Sequence, residues 1–276
     1  MKFTKMHGAG NDYVFIDCFN HSRPDDIPQL ARRISNRHTG IGSDGLILMC
    51  PSDDADAEML MYNVDGTLAQ MCGNGIRCMA KYLYEHSVCP QENMRITTGT
   101  RTLMLSLQVE AGSVNAVSVN MGQPILKDRL IPTTLEGNPP IESPIEVDGR
   151  QIKVTCVSMG NPHCVVFVES ISDQVVNDLG PQLESHEAFP ERSNVEFVQI
   201  VARDEFNMRV WERGCGETQA CGTGACATLV AGVLTNRLDR RAIGHLLGGD
   251  LELEWLDDDS VVMTGPAVEV FEGEWS

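Results

Sequence analysis

The sequence predicts an α+β protein of two pseudo-symmetric domains, each a mostly antiparallel sheet wrapped around a central helix, with a site in the cleft between them. Two stretches, Gln70-Met71-Cys72-Gly73-Asn74-Gly75 and Gln219-Ala220-Cys221-Gly222-Thr223-Gly224, both read Gln-x-Cys-Gly-x-Gly and run into apolar, helix-forming segments. Their surroundings keep step: Asn11 lies 61 residues before Cys72 and Asn161 lies 60 before Cys221, while Asn63 and Glu212 each stand nine residues before their cysteine. Landmarks repeated in register indicate a duplicated unit. Between the helical segments, short runs of alternating apolar residues predominate, as in half-buried antiparallel strands. Domains over 1–118 and 119–266 are expected, with a last strand near 267–276 returning to the first.

Phe3–Met6 and Tyr13–Asp17 read as strands flanking a Gly-Ala-Gly-Asn turn. Ile27–His38 carries apolar residues at the spacing of a surface helix. Leu46–Met49 and Glu58–Asn63 read as strands and Ile76–His86 as a helix. Leu103, Leu105, Leu107 and Val109 alternate, as do Val117, Val119 and Met121. Four prolines and a glycine between Ile131 and Pro144 argue for an irregular connection. Strands resume at Ile152–Val157 and Cys164–Glu169. A helix over Val175–Ser185 is expected to break near Gly180-Pro181. Val195–Val201 and Asn207–Glu212 continue the sheet, Gly224–Leu234 is a second core helix, and Leu251–Trp255, Val261–Thr264 and Ala267–Phe271 end the pattern.

A net charge of −18 argues against nucleic-acid and anionic-membrane partners, which both call for basic patches. The ten cysteines contain no Cys-x-x-Cys pair, so neither a zinc ribbon nor a disulfide framework is indicated. Met1–His7 has no apolar leader pattern, and a cytoplasmic setting is expected. The uncharged stretch Thr218–Asn236 is broken by three glycines and four threonines, so it reads as a buried helix and not a membrane span.

A cysteine at a loop-to-helix junction lies where unpaired N–H groups and the positive end of the helix dipole favour a thiolate and can also hold a carboxylate. Two such thiols suit one task in particular. Inverting a carbon acid without a cofactor needs a base on one face and an acid on the other, and a thiolate and a thiol can exchange those roles. Backbone N–H groups at Gly73-Asn74 and Gly222-Thr223 would stabilise the carboxylate on which negative charge grows.

The stretches Met6-His7-Gly8-x-Gly10-Asn11-Asp12, Cys72-Gly73-Asn74-Gly75-x-Arg77-Cys78, Ser158 to Cys164, and Glu212-Arg213-Gly214-x-Gly216-Glu217-Thr218-x-Ala220-Cys221-Gly222 resemble the diaminopimelate epimerase family. The resemblance runs from Met1 to about Phe271. It implies cofactor-independent interconversion of LL- and meso-diaminopimelate for lysine and cell-wall precursors, in a homodimer of two-domain subunits, with no metal. It further implies Cys72 and Cys221 as the acid/base thiols, with His163 and Glu212 setting their protonation. By the same resemblance Asn11, Gly73, Asn74, Gly222 and Thr223 cradle the reacting carboxylate. Asn63, Asn161, Asn194 and Arg213, with Glu212, then meet the distal amino-acid end. Two positions depart from familiar members: Gly45 stands where some carry Gln, and Cys215 where Ala is usual.

Simpler roles compete with these. Cysteines are commonly buried packing residues, asparagines commonly cap turns, His163 could be a satisfied core histidine, and Glu212-Arg213 a surface ion pair. Other functions also fit parts of the pattern. A proline or hydroxyproline racemase would use the same two thiols with an apolar pocket. A redox or metal-binding protein could use Cys72, Cys78, Cys221 and Cys226, and a periplasmic-type binding protein would need an export signal.

Overall fold

The computed structural model describes residues 1–69, 71–99 and 101–276; Gln70 of the first motif lies outside them. The chain divides into two compact units, Met1–Asn120 with Thr264–Ser276, and Met121–Met263.

In the first unit β1 (Lys2–Gly8), β2 (Asn11–Asp17), α1 (Ile27–Ser35), β3 (Gly45–Cys50), β4 (Ala57–Asn63), β5 (Leu68–Ala69), α2 (Gly73–Glu85), β6 (Asn93–Thr98), β7 (Arg101–Glu110) and β8 (Ser113–Asn120) follow in order. A short 3-10 turn at Asp128–Leu130 lies in the second unit, just ahead of the proline-interrupted stretch that precedes Ser143. There β9 (Ser143–Val147), β10 (Arg150–Ser158), β11 (Pro162–Phe167), α3 (Asp173–Glu184), β12 (Asn194–Ala202), β13 (Glu205–Glu212), β14 (Gly216–Thr218), α4 (Gly222–Leu234), β15 (Arg241–Leu246) and β16 (Gly249–Trp255) come next. β17 (Val261–Gly265) and β18 (Val268–Glu274) end the chain, and β18 pairs antiparallel with β1.

Strand pairing repeats step for step. In the first unit β1–β2 is antiparallel, β2–β3 parallel across α1, β3–β4 antiparallel, and β4–β6 parallel across α2. In the second, β10–β11 is antiparallel, β11–β12 parallel across α3, β12–β13 antiparallel, and β13–β15 parallel across α4. Even the short strands correspond, β5 on β4 and β14 on β13. The two crossovers per unit are the parallel exceptions in sheets that are otherwise mainly antiparallel, because a parallel return needs a helix-length connection.

Each sheet buries both faces. On one side of β2 and β3 the residues Val14, Ile16, Leu46 and Leu48 pack with Ile27, Ala31 and Ile34 of α1. Cys164, Val166, Val195 and Phe197 pack with Val176 and Leu183 of α3 in the same way. The opposite faces receive α2 and α4, which are buried almost all round, as expected of a helix enclosed by its own sheet.

α3 does not break at Gly180-Pro181; Pro181 lies inside it. Gly180 is there for space, since a Cβ would stand 2.8 Å from the Trp211 ring. Pro181 costs one helical N–H bond, and the helix tolerates the loss because Val176 and Leu183 hold its inner face in the core.

Candidate active site

Cys72 is the N-cap of α2. Its backbone is extended, and Sγ accepts the N–H of Gly75 at 3.2 Å, which starts the helix three residues before Ile76, the first residue read as helical from periodicity. The thiol donates to Tyr13 Oη at 3.1 Å. Tyr13 is 2% exposed, and burial followed by the neighbouring Cys72 pushes its phenol well above the usual tyrosine range, so it stays protonated. Gly75 has no room for a side chain: a Cβ would sit 2.5 Å from Ile47 Cδ1 and 3.3 Å from Cys72 Sγ. Gly73 opens the helix, and Asn74 turns its Oδ1 back to accept Arg77 Nη2 at 2.9 Å. Arg77 is fully buried and also donates to the carbonyls of Gly73 and Pro266.

Asn11 starts β2 beside this thiol's partner, and its buried Oδ1 has no hydrogen-bond partner within the protein. Next to it, Asp12 is gripped by Lys5 and, at 2.6 Å, by Arg37, which also reaches Asp44. Burial works against the Asp12 charge, but the bonds from Arg37 and Lys5 outweigh it and hold its carboxyl below the ordinary value. Asn63 donates to Thr67 Oγ1 inside its own turn. Gly45 is closed against β4, with a notional Cβ 2.6 Å from the Tyr62 carbonyl oxygen, so this backbone leaves no space for a side chain there.

Cys221 caps α4 with the same extended backbone. It is 7% exposed and lies 3.4 Å from Thr223 Oγ1. Burial, then the charges of Glu212 and Glu196, push its thiol well above the usual range; Thr223 and the Gly224 N–H oppose them. Asn161 donates to Thr223 Oγ1 at 3.3 Å and faces His163 Nε2 with Oδ1 at 3.1 Å. His163 is wholly buried, its Nδ1 2.7 Å from Glu196 Oε1. Gly222 opens α4, and Glu212, at the end of β13, accepts the Thr218 hydroxyl.

Asn194 spends both ends of its amide on backbone, donating to the Pro162 carbonyl at 2.9 Å and accepting the Arg213 N–H at 3.0 Å. Arg213 is exposed and donates to the Glu191 carbonyl. Cys215 is exposed in the turn from β13 to β14, its N–H bonded to the Glu212 carbonyl. The first unit thus gathers Asn11, Tyr13, Cys72, Gly73 and Asn74, and the second Asn161, His163, Glu196, Glu212, Cys221, Gly222 and Thr223. Asn63 is engaged in its own turn.

Tyr13 and Glu196 went unread in the sequence. Both were available from the duplication: Tyr13 pairs with Gly45 as His163 pairs with Asn194, so Ile47 in β3 occupies the place of Glu196 in β12. The equivalence is physical as well, because Gly75 abuts Ile47 just as Gly224 abuts Glu196 Oε1, 2.6 Å from a notional Cβ. One thiol therefore faces a phenol and a hydrocarbon, the other an imidazole and a carboxylate.

Among the described residues, two groups bring three possible metal ligands within 4.8 Å of one another: His163, Glu196 and Cys221, and the more open His86, Glu269 and Glu272. Neither includes Cys72, Cys78 or Cys226. Burial pushes the Cys78 thiol up to about 12, which suits packing better than reactivity. No described helix is long and apolar enough to cross a membrane.

The chain matches the diaminopimelate epimerase family over residues 3–127 and 155–270. It is 50% identical over 276 residues to a diaminopimelate epimerase of Moorella thermoacetica, covering 100% of this chain and 99% of the relative. It is 49% identical over 275 residues to that of Acetivibrio thermocellus, covering 99% and 98%. Among solved structures, a hydroxyproline epimerase from Agrobacterium vitis with bound trans-4-hydroxy-L-proline shares the fold at a TM-score of 0.72 and 14% identity, over 99% of this chain and 91% of that one. A phenazine biosynthesis protein of Bacillus anthracis does so at 0.68 and 14%, over 100% and 99%.

Proposed function

The chain belongs to the diaminopimelate epimerase family, and from that premise we propose that it inverts one α-carbon of diaminopimelate with Cys72 and Cys221 as paired acid and base. The observation that carries this reading is the repeated thiol, once in each duplicated unit, at the start of a helix whose third residue after the cysteine, Gly75 or Gly224, is crowded too tightly for a side chain. One thiolate removes the α-proton, the other thiol delivers a proton to the opposite face, and the roles reverse in the return direction.

Cys221, held as a thiol by burial and two nearby carboxylates, starts as the acid when Cys72 starts as the thiolate. N–H groups in the first turns of α2 and α4 receive the substrate carboxylate, since a helix start has donors without intrahelical acceptors. Arg213, its backbone fixed by Asn194, forks onto the distal carboxylate. The reading extends to a PLP-independent, cytoplasmic homodimer serving lysine and cell-wall precursor synthesis.

Metal-free, PLP-free protein incubated with LL-diaminopimelate in deuterated water should form the meso isomer with deuterium at the inverted carbon. L-proline should be untouched. A proline racemase activity, or inversion that requires added metal or PLP, would reject the assignment.

A further inference from the structure

We propose that Glu196 is a positioning residue for Cys221: its carboxylate keeps His163 as an imidazolium and thereby sets the direction of a hydrogen-bond chain that ends on the sulfur. The proposal rests on the two-thiol reading for its kinetic consequence only.

The chain can be followed atom by atom. Glu196 Oε1 faces His163 Nδ1 at 2.7 Å, His163 Nε2 faces Asn161 Oδ1 at 3.1 Å, Asn161 Nδ2 donates to Thr223 Oγ1 at 3.3 Å, and Thr223 Oγ1 lies 3.4 Å from Cys221 Sγ. A carboxylate and an amide oxygen both accept, so with the Asn161 amide in this orientation both ring nitrogens of His163 carry hydrogen. Thr223, already accepting from Asn161, has its own hydrogen left for the sulfur. Every link then donates outward from the imidazolium on one side and toward Cys221 on the other.

A neutral His163 protonated only at Nδ1 would reverse this. Nε2 would need a donor, the Asn161 amide would turn over, and Thr223 would give its hydrogen to Asn161 in place of the thiol. Glu196 guards against that state because its carboxylate is wholly buried and its other oxygen, Oε2, has no hydrogen-bond partner. A charge so placed is stable only beside an opposite one. His163 Nδ1, 2.7 Å from Oε1, is the group the structure places there. The titratable groups around the thiol are Glu212 from β13, Glu196 from β12 and His163 from β11. In the first unit the corresponding place holds Ile47, so this device belongs to the Cys221 half alone.

The test uses full-length protein labelled with 15N-histidine, with His163→Asn identifying the signal among seven histidines. Wild type should show both His163 ring nitrogens protonated at neutral pH, and Glu196→Gln, which keeps the shape and removes the charge, should show one. Epimerisation by Glu196→Gln should fall about two- to tenfold in kcat, the effect of one misdirected hydrogen bond, with KM within about twofold; Glu196→Asp should recover part of the loss. Thr223→Val cuts the same chain, so adding Glu196→Gln to it should cost nothing further. A singly protonated His163 in wild type, or losses from the two substitutions that multiply, would overturn the proposal. Wild-type protein that inverts no diaminopimelate would reject the reading above while leaving the ring signals to judge this one.

Discussion

Tyr13→Phe isolates one interaction at Cys72. The substitution removes a single oxygen from a side chain 2% exposed, and that oxygen sits 3.1 Å from Sγ. When Cys72 carries negative charge the phenol, held protonated by burial, turns its hydrogen to the sulfur. A hydrogen bond to a charged group contributes about 1.5–3 kcal/mol, so the step that develops thiolate at Cys72 should slow by about ten- to hundredfold. The equilibrium between two isomers cannot depend on the enzyme, so kcat/KM must fall by the same factor in both directions. Coupled assays run from LL- and from meso-diaminopimelate would measure this, with thermal unfolding to verify that the core is intact. Rates within twofold of wild type would show that the phenol does not act on the thiolate.

Cys72→Ala and Cys221→Ala should each abolish epimerisation and leave the circular dichroism spectrum unchanged; turnover near wild type in either would refute the two-base assignment. Gly75→Ala forces a methyl to 2.5 Å from Ile47 and against Cys72. It should cost about 1–3 kcal/mol of stability, a fall of about 2–10 °C in the unfolding midpoint, and more activity than that loss accounts for. Asp12 has a lowered carboxyl pKa when folded. Its contribution is therefore complete above the ordinary unfolded carboxylate value, about 4, and disappears as pH falls through the lower folded value. The stability gap between wild type and Asp12→Asn in urea should be widest near neutral pH and close in acid.

The duplicated cysteine motif made the fold class legible, and apolar alternation located most strands. Three of the strands that escaped had physical reasons to do so. β15 buries Ala242 and Gly244 and exposes Ile243, because Phe206 fills the space over Gly244; a strand that hides its small residues and displays its large one has no apolar rhythm to read. β5 and β14 are two and three residues long, below the length at which alternation exists. At the site, the thiols and their glycines announced themselves through local chemistry. Glu196 did not, since a carboxylate between Val195 and Phe197 reads as the solvent side of a strand. Both faces of β12 are in fact covered, and only His163, on the adjacent strand, explains why a carboxylate is there.

The pairing of β18 with β1 has a bearing on how this protein is made. The ribosome finishes the entire Met121–Met263 unit before it synthesises the strand that lies along β1. The earlier-made half must wait with an open edge while the later-made half can already close its own sheet. Removal of the last dozen residues should accordingly harm the amino-terminal half, some 260 positions away in the chain, and spare the neighbouring one.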